Sequence, residues 1–313
     1  MQFWPRKRAK RIYPRTRFWP SSKDVKPLGF AGWKAGMTHI LLTDSNPKSP
    51  TYGKSIARPA TIIDAPSLFV CGFRVYRSSA SGLMTIGEKW TTKLPKGLEL
   101  MRKTSPSRKE EGRNFADAKD VRLIVCTQPG RSGIAKKKPD VFELGVGGDS
   151  AIQKIEYAEA NLGKELSAKD IFRSGDFIDV SAVTKGHGYT GSVKRFHIRI
   201  QGRKSKQMHR HVGSIGSTVP RKVDWRVPQA GQHGFHSRTE FNKRVLMIEE
   251  DPSKIIPKGG FLGYGLIPES FIMIEGTVPG HRKRLIRMRK SVRNSKHVPP
   301  EIKYISLASK QGA

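Results

Sequence analysis

Acidic residues are scarce in this chain: 26 aspartates and glutamates stand against 59 lysines and arginines over 313 residues, a formal charge of +33. A charge of that size repels itself in a compact monomer unless something neutralises it, and it sets the chain apart from near-neutral enzymes. Cysteine is scarcer still. Cys71 and Cys126 are the only two; each sits in an apolar, strand-like run and reads as a buried reduced thiol, and no C-x-x-C pair exists to build a zinc ribbon. Long apolar runs are missing as well. No stretch approaches the roughly 18 apolar residues of a membrane span, and no apolar region of a secretory signal follows the positive N-terminus. A protein made and kept in the cytoplasm, with no membrane partner, is the expectation. Hydrophobic residues make up 36%, enough for one or two modest cores.

What is abundant is concentrated. Between Lys185 and Arg244 lie fourteen lysines and arginines, two acids (Asp224 and Glu240) and six of the nine histidines. Glycines recur there and apolar runs are short, so the segment cannot bury much of itself; the simplest counter-surface is a nucleic-acid backbone. The first twenty residues hold seven basic residues, no acids and three prolines. Prolines at that spacing argue against a helix. An extended arm results, in which arginines pair phosphates and rings such as Phe3, Trp4, Tyr13, Phe18 and Trp19 stack on bases, or a basic tail that orders on binding.

Between these regions the pattern is that of strands. Leu28–Leu42, Ala60–Ala65, Leu68–Tyr76, Asp120–Thr127, Val141–Val146, Asp176–Val183, Lys243–Glu249 and Phe271–Ile274 carry the apolar, β-branched and alternating composition of half-buried or buried strands. Residues 88–119 are polar and lysine-rich, an irregular or helical excursion, and Lys136–Lys138 an exposed loop. Ile152–Asn161 suits a short helix ended near Gly163, and Ser167–Asp170 has capping-box form. From Asp149 to Asp179 seven acids face four bases, so this middle region reads as an α/β insert turned away from the polyanion. The C-terminal run of Arg282, Lys283, Arg284, Arg287, Arg289, Lys290 and Arg293 is broken by Leu285, Ile286 and Met288, which keep part of it on the sheet as a strand.

Three motifs invite enzymatic readings. Gly186-His187-Gly188-Tyr189-Thr190-Gly191 fits G-x-G-x-x-G after a strand, but a dinucleotide site needs a helix opening on the third glycine and an acid about 20 residues on. Residues 192–200 alternate like a strand and the next acid is Asp224. Neither H-R-D nor D-F-G follows, which removes the kinase reading; the glycines instead let backbone amides approach phosphates. His209, His211, His233 and His236 lack a nearby carboxylate or cysteine and have Arg210 and Arg238 beside them, so no metal is expected. Gly213–Ser217 is not a nucleophile elbow, and acids to orient a histidine base are few. No cofactor and no catalysis are expected.

The stretches Asp179–Gly191 and Ala230–Arg244 resemble the signatures of the universal ribosomal protein L3 family. Leu28–Ile40 resembles that family's first barrel segment, and Gly259–Gly265 through Gly276–Arg284 its closing segment. The resemblance runs in order over most of the chain, and its length and insert are similar to the archaeal branch. It implies a mainly β protein with an α/β insertion: a translation-protein-type six-stranded β-barrel plus two long basic extensions, the N-terminal arm and an internal loop. The implied boundaries are an arm over 1–27, barrel segments over 28–87, 175–196 and 241–280, an insertion over 88–174, an RNA-penetrating loop over 197–240 and a basic C-terminal segment over 281–313. It also implies a non-enzymatic constituent of the large ribosomal subunit, one copy per ribosome without homo-oligomers. Such a protein binds 23S rRNA near its 3′ end, nucleates assembly, extends a loop toward the peptidyl transferase centre and neighbours ribosomal proteins L14 and L24e. Eukaryotic relatives place a tryptophan at the loop tip where this chain has Thr218.

The RNA-contacting residues expected from charge and resemblance together are Arg6, Lys7, Arg8, Lys10, Arg11, Arg15 and Arg17 in the arm, then Lys185, Gly186, His187, Gly188, Lys194, Arg195, His197 and Arg199. In the loop and its return they are Arg203, Lys204, His209, Arg210, His211, Arg221, Lys222, Trp225, Arg226, Gln232, His233, His236, Arg238, Lys243 and Arg244. Two rivals remain at this point: an RNA-modifying enzyme, and a general architectural protein acting on DNA.

Overall fold

A computed structural model describes residues 6–92, 94–95, 115, 117–294 and 296–309 of the chain. In chain order its elements are β1 (Gly29–Thr43), β2 (Ser55–Asp64), β3 (Leu68–Ser79), β4 (Gly82–Trp90), β5 (Asp120–Cys126), β6 (Val141–Gly145), α1 (Ala151–Ala160), β7 (Glu165–Leu166), β8 (Phe177–Val183), β9 (Gly186–Thr190), α2 (Ser192–Phe196), β10 (Gly231–Gly234), β11 (Ser237–Glu249), β12 (Phe271–Glu275), β13 (Leu285–Lys290) and β14 (Ile302–Ile305). Each apolar run named above lies in a strand, because β-branched and aromatic side chains pack well on a pleated surface with a buried face.

The larger sheet runs β13-β8-β11-β12-β2-β1-β14, and β13 also pairs with β1. Hydrogen bonding therefore leaves β13 toward β8 and returns to it from β1, antiparallel from Gly29↔Arg289 to Trp33↔Leu285. Phe30, Ile40, Ile62, Ile178 and Phe271 are fully buried within it, each contributing roughly 1.5–3 kcal/mol relative to exposure. At Gly32 a Cβ would stand 2.5 Å from the Asp64 carbonyl oxygen, so only glycine allows β1 and β2 to approach this closely. Lys34 on β1 is buried; its ammonium donates to the Val278 carbonyl at 2.7 Å, which ties down the Gly276–Arg284 turn. Asp64, wholly buried, accepts from the Tyr264 hydroxyl at 2.5 Å and the Gly133 N–H at 3.1 Å. Burial pushes its carboxyl up to about 6.

The smaller sheet runs β4-β3-β5-β6, with β7 beside β3, and Phe73, Leu123 and Leu144 are fully buried in it. β3 hydrogen-bonds with both β4 and β5, so the change of sheet comes after Asp64. The boundary expected at 87/88 falls inside β4. Polar residues concealed that strand: it is an edge, mostly exposed, and without a second buried face has no apolar alternation to display. Most of the expected excursion over 88–119 lies outside the described residues. The two cysteines form no disulfide and are buried together in a small cluster flanked by Phe69, Trp90, Leu94 and Val141. α1 forms where expected. The Ser167 N–H does bond the Asp170 carboxylate at 2.9 Å, yet only a turn follows. β14, another partly exposed edge, was not foreseen.

Candidate nucleic-acid interface

At the C-terminal end of β8 the chain leaves the large sheet. β9 and β10 form a separate antiparallel ribbon, Gly231↔Thr190 to Gly234↔Gly186, and β11 resumes on β8 at Ser237↔Val183. Gly234 makes the return possible: its φ is +71°, and a Cβ there would collide with the Lys185 carbonyl. The expected strand over 192–200 is instead the short helix α2, closed by Arg195 N–H to Gly191 and His197 N–H to Val193. It stops at His197, which is left-handed at φ 57°. Val193 and Phe196 are partly buried, a three-residue spacing that alternation disguised. A helix does therefore open on the third glycine, contrary to expectation. The dinucleotide reading fails on topology, because β9 pairs antiparallel with β10 rather than entering a parallel β-α-β unit.

From residue 197 to residue 230 not one residue is buried. The segment has two fused 3-10 turns over Arg203–Met208 and no strand. Arg199, Arg203, Lys204, Arg210, His211, Arg221, Lys222 and Arg226 are exposed or nearly so, as are Lys185, Gly186, His187, Gly188, Lys194 and His197 at its root. His209 is partly covered, 3.5 Å from the Gln201 carbonyl. Trp225 is 52% exposed with the Arg226 guanidinium 5.4 Å from its ring. Large apolar side chains including Ile200, Met208, Ile215 and Val219 also face solvent. An interior this poor cannot offset the conformational entropy of one fixed shape, so the shape requires an external surface.

The root is better anchored. The His187 and His233 rings are 4.7 Å apart. Burial, then the charges of His187 and Arg195, push the His233 imidazole down. Gln232 donates to the Gly234 carbonyl at 3.0 Å. Arg195 donates to the Gln229 carbonyl at 2.8 Å, and Arg6 lies 4.8 Å over the Phe196 ring. The arm docks here: Ala9 N–H donates to the Phe235 carbonyl at 2.8 Å, and the buried His236 ring donates through Nδ1 to the Lys7 carbonyl at 3.1 Å. Burial lowers the His236 pKa, which keeps the ring neutral.

Several residues expected to contact RNA have partners within the chain. His236 is taken up by the arm. Arg244 pairs with Glu275 at 2.9 Å and Lys243 with Glu240 at 2.8 Å; Arg238, partly covered, donates to the Ser237 carbonyl at 2.9 Å. In the arm, Lys7, Arg8, Lys10, Arg11, Arg15 and Arg17 are exposed. Its rings are not all outward. The Tyr13 hydroxyl donates to the Val141 carbonyl at 2.7 Å, Trp19 packs on Gly29 and Gly145, and Phe18, at 58%, is the one exposed ring among the arm's described residues. Phe3 and Trp4 lie outside the described residues.

Sequence reasoning missed what holds the arm. Arg287 on β13 is 4% exposed; its guanidinium donates to the Pro14 carbonyl at 3.1 Å and the Glu143 carbonyl at 2.5 Å and lies 4.6 Å over Phe142. Burial pushes it down to about 10, still charged at neutral pH. Arg289 pairs with the buried Asp179 at 3.1 Å and donates to the Phe18 carbonyl. The signal was the apolar Leu285-Ile286-x-Met288 framing: β13 is covered on both faces, so cations within it must serve internal acceptors. Among the described residues no group of three or more His, Cys, Asp or Glu could hold a metal ion, and no helix is long and apolar enough to cross a membrane.

Fold and surface together define a mainly β protein with a strongly basic loop that lacks a core of its own. The chain belongs to the ribosomal protein L3 family, whose pattern it matches over residues 1–312. It is 47% identical to the large ribosomal subunit protein uL3 of Methanopyrus kandleri, over all of this chain and 90% of that protein. Identity is 45% to the uL3 of Methanococcus maripaludis strain C7 and 43% to that of Methanocaldococcus jannaschii, each over all of this chain and 96% of the relative.

Proposed function

We propose that this protein is a structural, non-catalytic constituent of the cytoplasmic large ribosomal subunit. It binds 23S rRNA near its 3′ end and helps nucleate subunit assembly. The strand circuit through β13, β8, β11, β12, β2 and β1 serves as a six-stranded translation-type barrel on the subunit surface, with the smaller sheet as its insertion. The arm and the 197–230 segment are extensions between RNA helices, the latter directed toward the peptidyl transferase centre. One copy enters each subunit, beside ribosomal proteins L14 and L24e. With Thr218 in place of an aromatic, the loop tip works by charge and shape rather than by stacking. Such contacts position RNA more than they read its sequence.

The observation that carries this reading is the cation-rich segment without a buried residue. Its test is the binding of the full chain to a transcript of the 3′-terminal domain of 23S rRNA, as a function of salt. Deleting residues 201–224 removes the solvent-facing cations Arg203, Lys204, Lys206, Arg210, Arg221 and Lys222. At about 0.7–0.9 per phosphate neutralised, the log–log salt slope should fall by about 4–5 while the sheets stay folded. Native protein should co-sediment with the large subunit. An unchanged slope, or sedimentation away from ribosomes, refutes the reading.

A further inference from the structure

The ribbon, α2 and the middle of the basic segment border a half-open cavity of about 320 Å3, whose lining includes His187, Tyr189, Thr190, Gly191, Lys194 and Arg210. That volume lies at the lower end of the ~300–1,000 Å3 of small-ligand sites. Arg210 reaches it from the excursion and Lys194 from α2, and no carboxylate lines it. Tyr189 is 79% exposed, a ring that contributes nothing to any core. Thr190 is 8% exposed, and its hydroxyl has no hydrogen-bond partner among the described residues.

We propose that this cavity takes a single unpaired ribonucleotide, with its phosphate between Lys194 and Arg210 and its base on the face of Tyr189. The inference rests on the rRNA-binding reading and deepens it. A base inside an A-form helix is already stacked and cannot enter a cavity of this size; an unstacked one can be splayed onto an aromatic ring. A phosphate alone would account for the two cations but leave the exposed ring of Tyr189 without a role. Gly188, left-handed at φ +68° with open space about it, and Gly191 keep side chains out of the approach.

Binding of full-length Tyr189→Ala and Tyr189→Phe to the same rRNA transcript tests this. Stacking worth about 1–3 kcal/mol per base translates to a loss of roughly 5–150-fold for Tyr189→Ala, at an unchanged salt slope and unchanged thermal unfolding. Tyr189→Phe should bind within about twofold of wild type, and Arg210→Ala should lower the slope by about one. Zero-length ultraviolet crosslinking should join one unpaired nucleotide to the peptide containing Tyr189. Wild-type affinity and slope in Tyr189→Ala, or crosslinks only to paired nucleotides, overturn the nucleotide site while leaving rRNA binding intact. A wild-type chain with no salt slope overturns the rRNA reading itself, and this inference with it.

Discussion

Replacing Arg287 with methionine removes the clamp between the N-terminal arm and the rest of the fold. Two hydrogen bonds from a charged donor, to the Pro14 and Glu143 carbonyls, are worth about 1.5–3 kcal/mol each. Contact with the Phe142 ring adds roughly 1 kcal/mol. Against this stands the cost of keeping the guanidinium buried: the fall to about 10 that burial imposes corresponds to about 3 kcal/mol. The balance is a loss of about 1–4 kcal/mol, concentrated in the arm, because the methionine stem still fills the space on β13. In hydrogen exchange of the RNA-free protein, amides on the docked arm, Ala9 among them, should exchange about 5- to 1,000-fold faster in Arg287→Met than in wild type. Strands β2 and β12 should be nearly unaffected. Unchanged arm protection would refute the clamp; equal loss across the strands of the larger sheet would show that Arg287 supports the whole sheet instead.

Other substitutions probe other parts. Asp64 titrates at about 6 in the fold against a reference of 3.8, so between those values the native state holds more protons than the unfolded chain. Stability therefore falls as pH rises from about 4 to 6, by about 3 kcal/mol in total, and urea unfolding of Asp64→Asn should lack that slope. Gly234→Ala forces a side chain into a left-handed position against the Lys185 carbonyl. It should cost roughly 1–3 kcal/mol locally, loosening the β9–β10 ribbon and weakening rRNA binding while the sheets keep their circular dichroism.

Strand content was legible because most strands bury at least one face, and apolar alternation or continuous apolar runs record that directly. β4 and β14 escaped because edge strands with exposed faces carry polar residues. The change of sheet after Asp64 was hidden because β2 and β3 are consecutive and equally apolar, and only hydrogen-bond partners separate them. In the basic segment, charge composition shows where cations cluster but not the fate of each one. Arg244 and Arg210 look alike in sequence; what separates them is that Glu275 stands across the sheet from Arg244, a long-range fact. The arm's rings were assigned to RNA for the same reason: Tyr13 and Trp19 pack on β6 and β1 residues far away in sequence. α2 was misjudged because Phe196, Ile198 and Ile200 alternate as in a strand, while the helical spacing of Val193 and Phe196 spans a single turn.

If the 197–230 segment takes its shape from RNA and not from its own interior, amide exchange will show it. The measurement covers those residues in the RNA-free protein and again in the assembled large subunit. Exchange near the unprotected rate is expected in the free chain and strong protection in the subunit, with β8, β11 and β12 slow in both. Strong protection of residues 197–230 in the free chain would contradict that dependence on RNA.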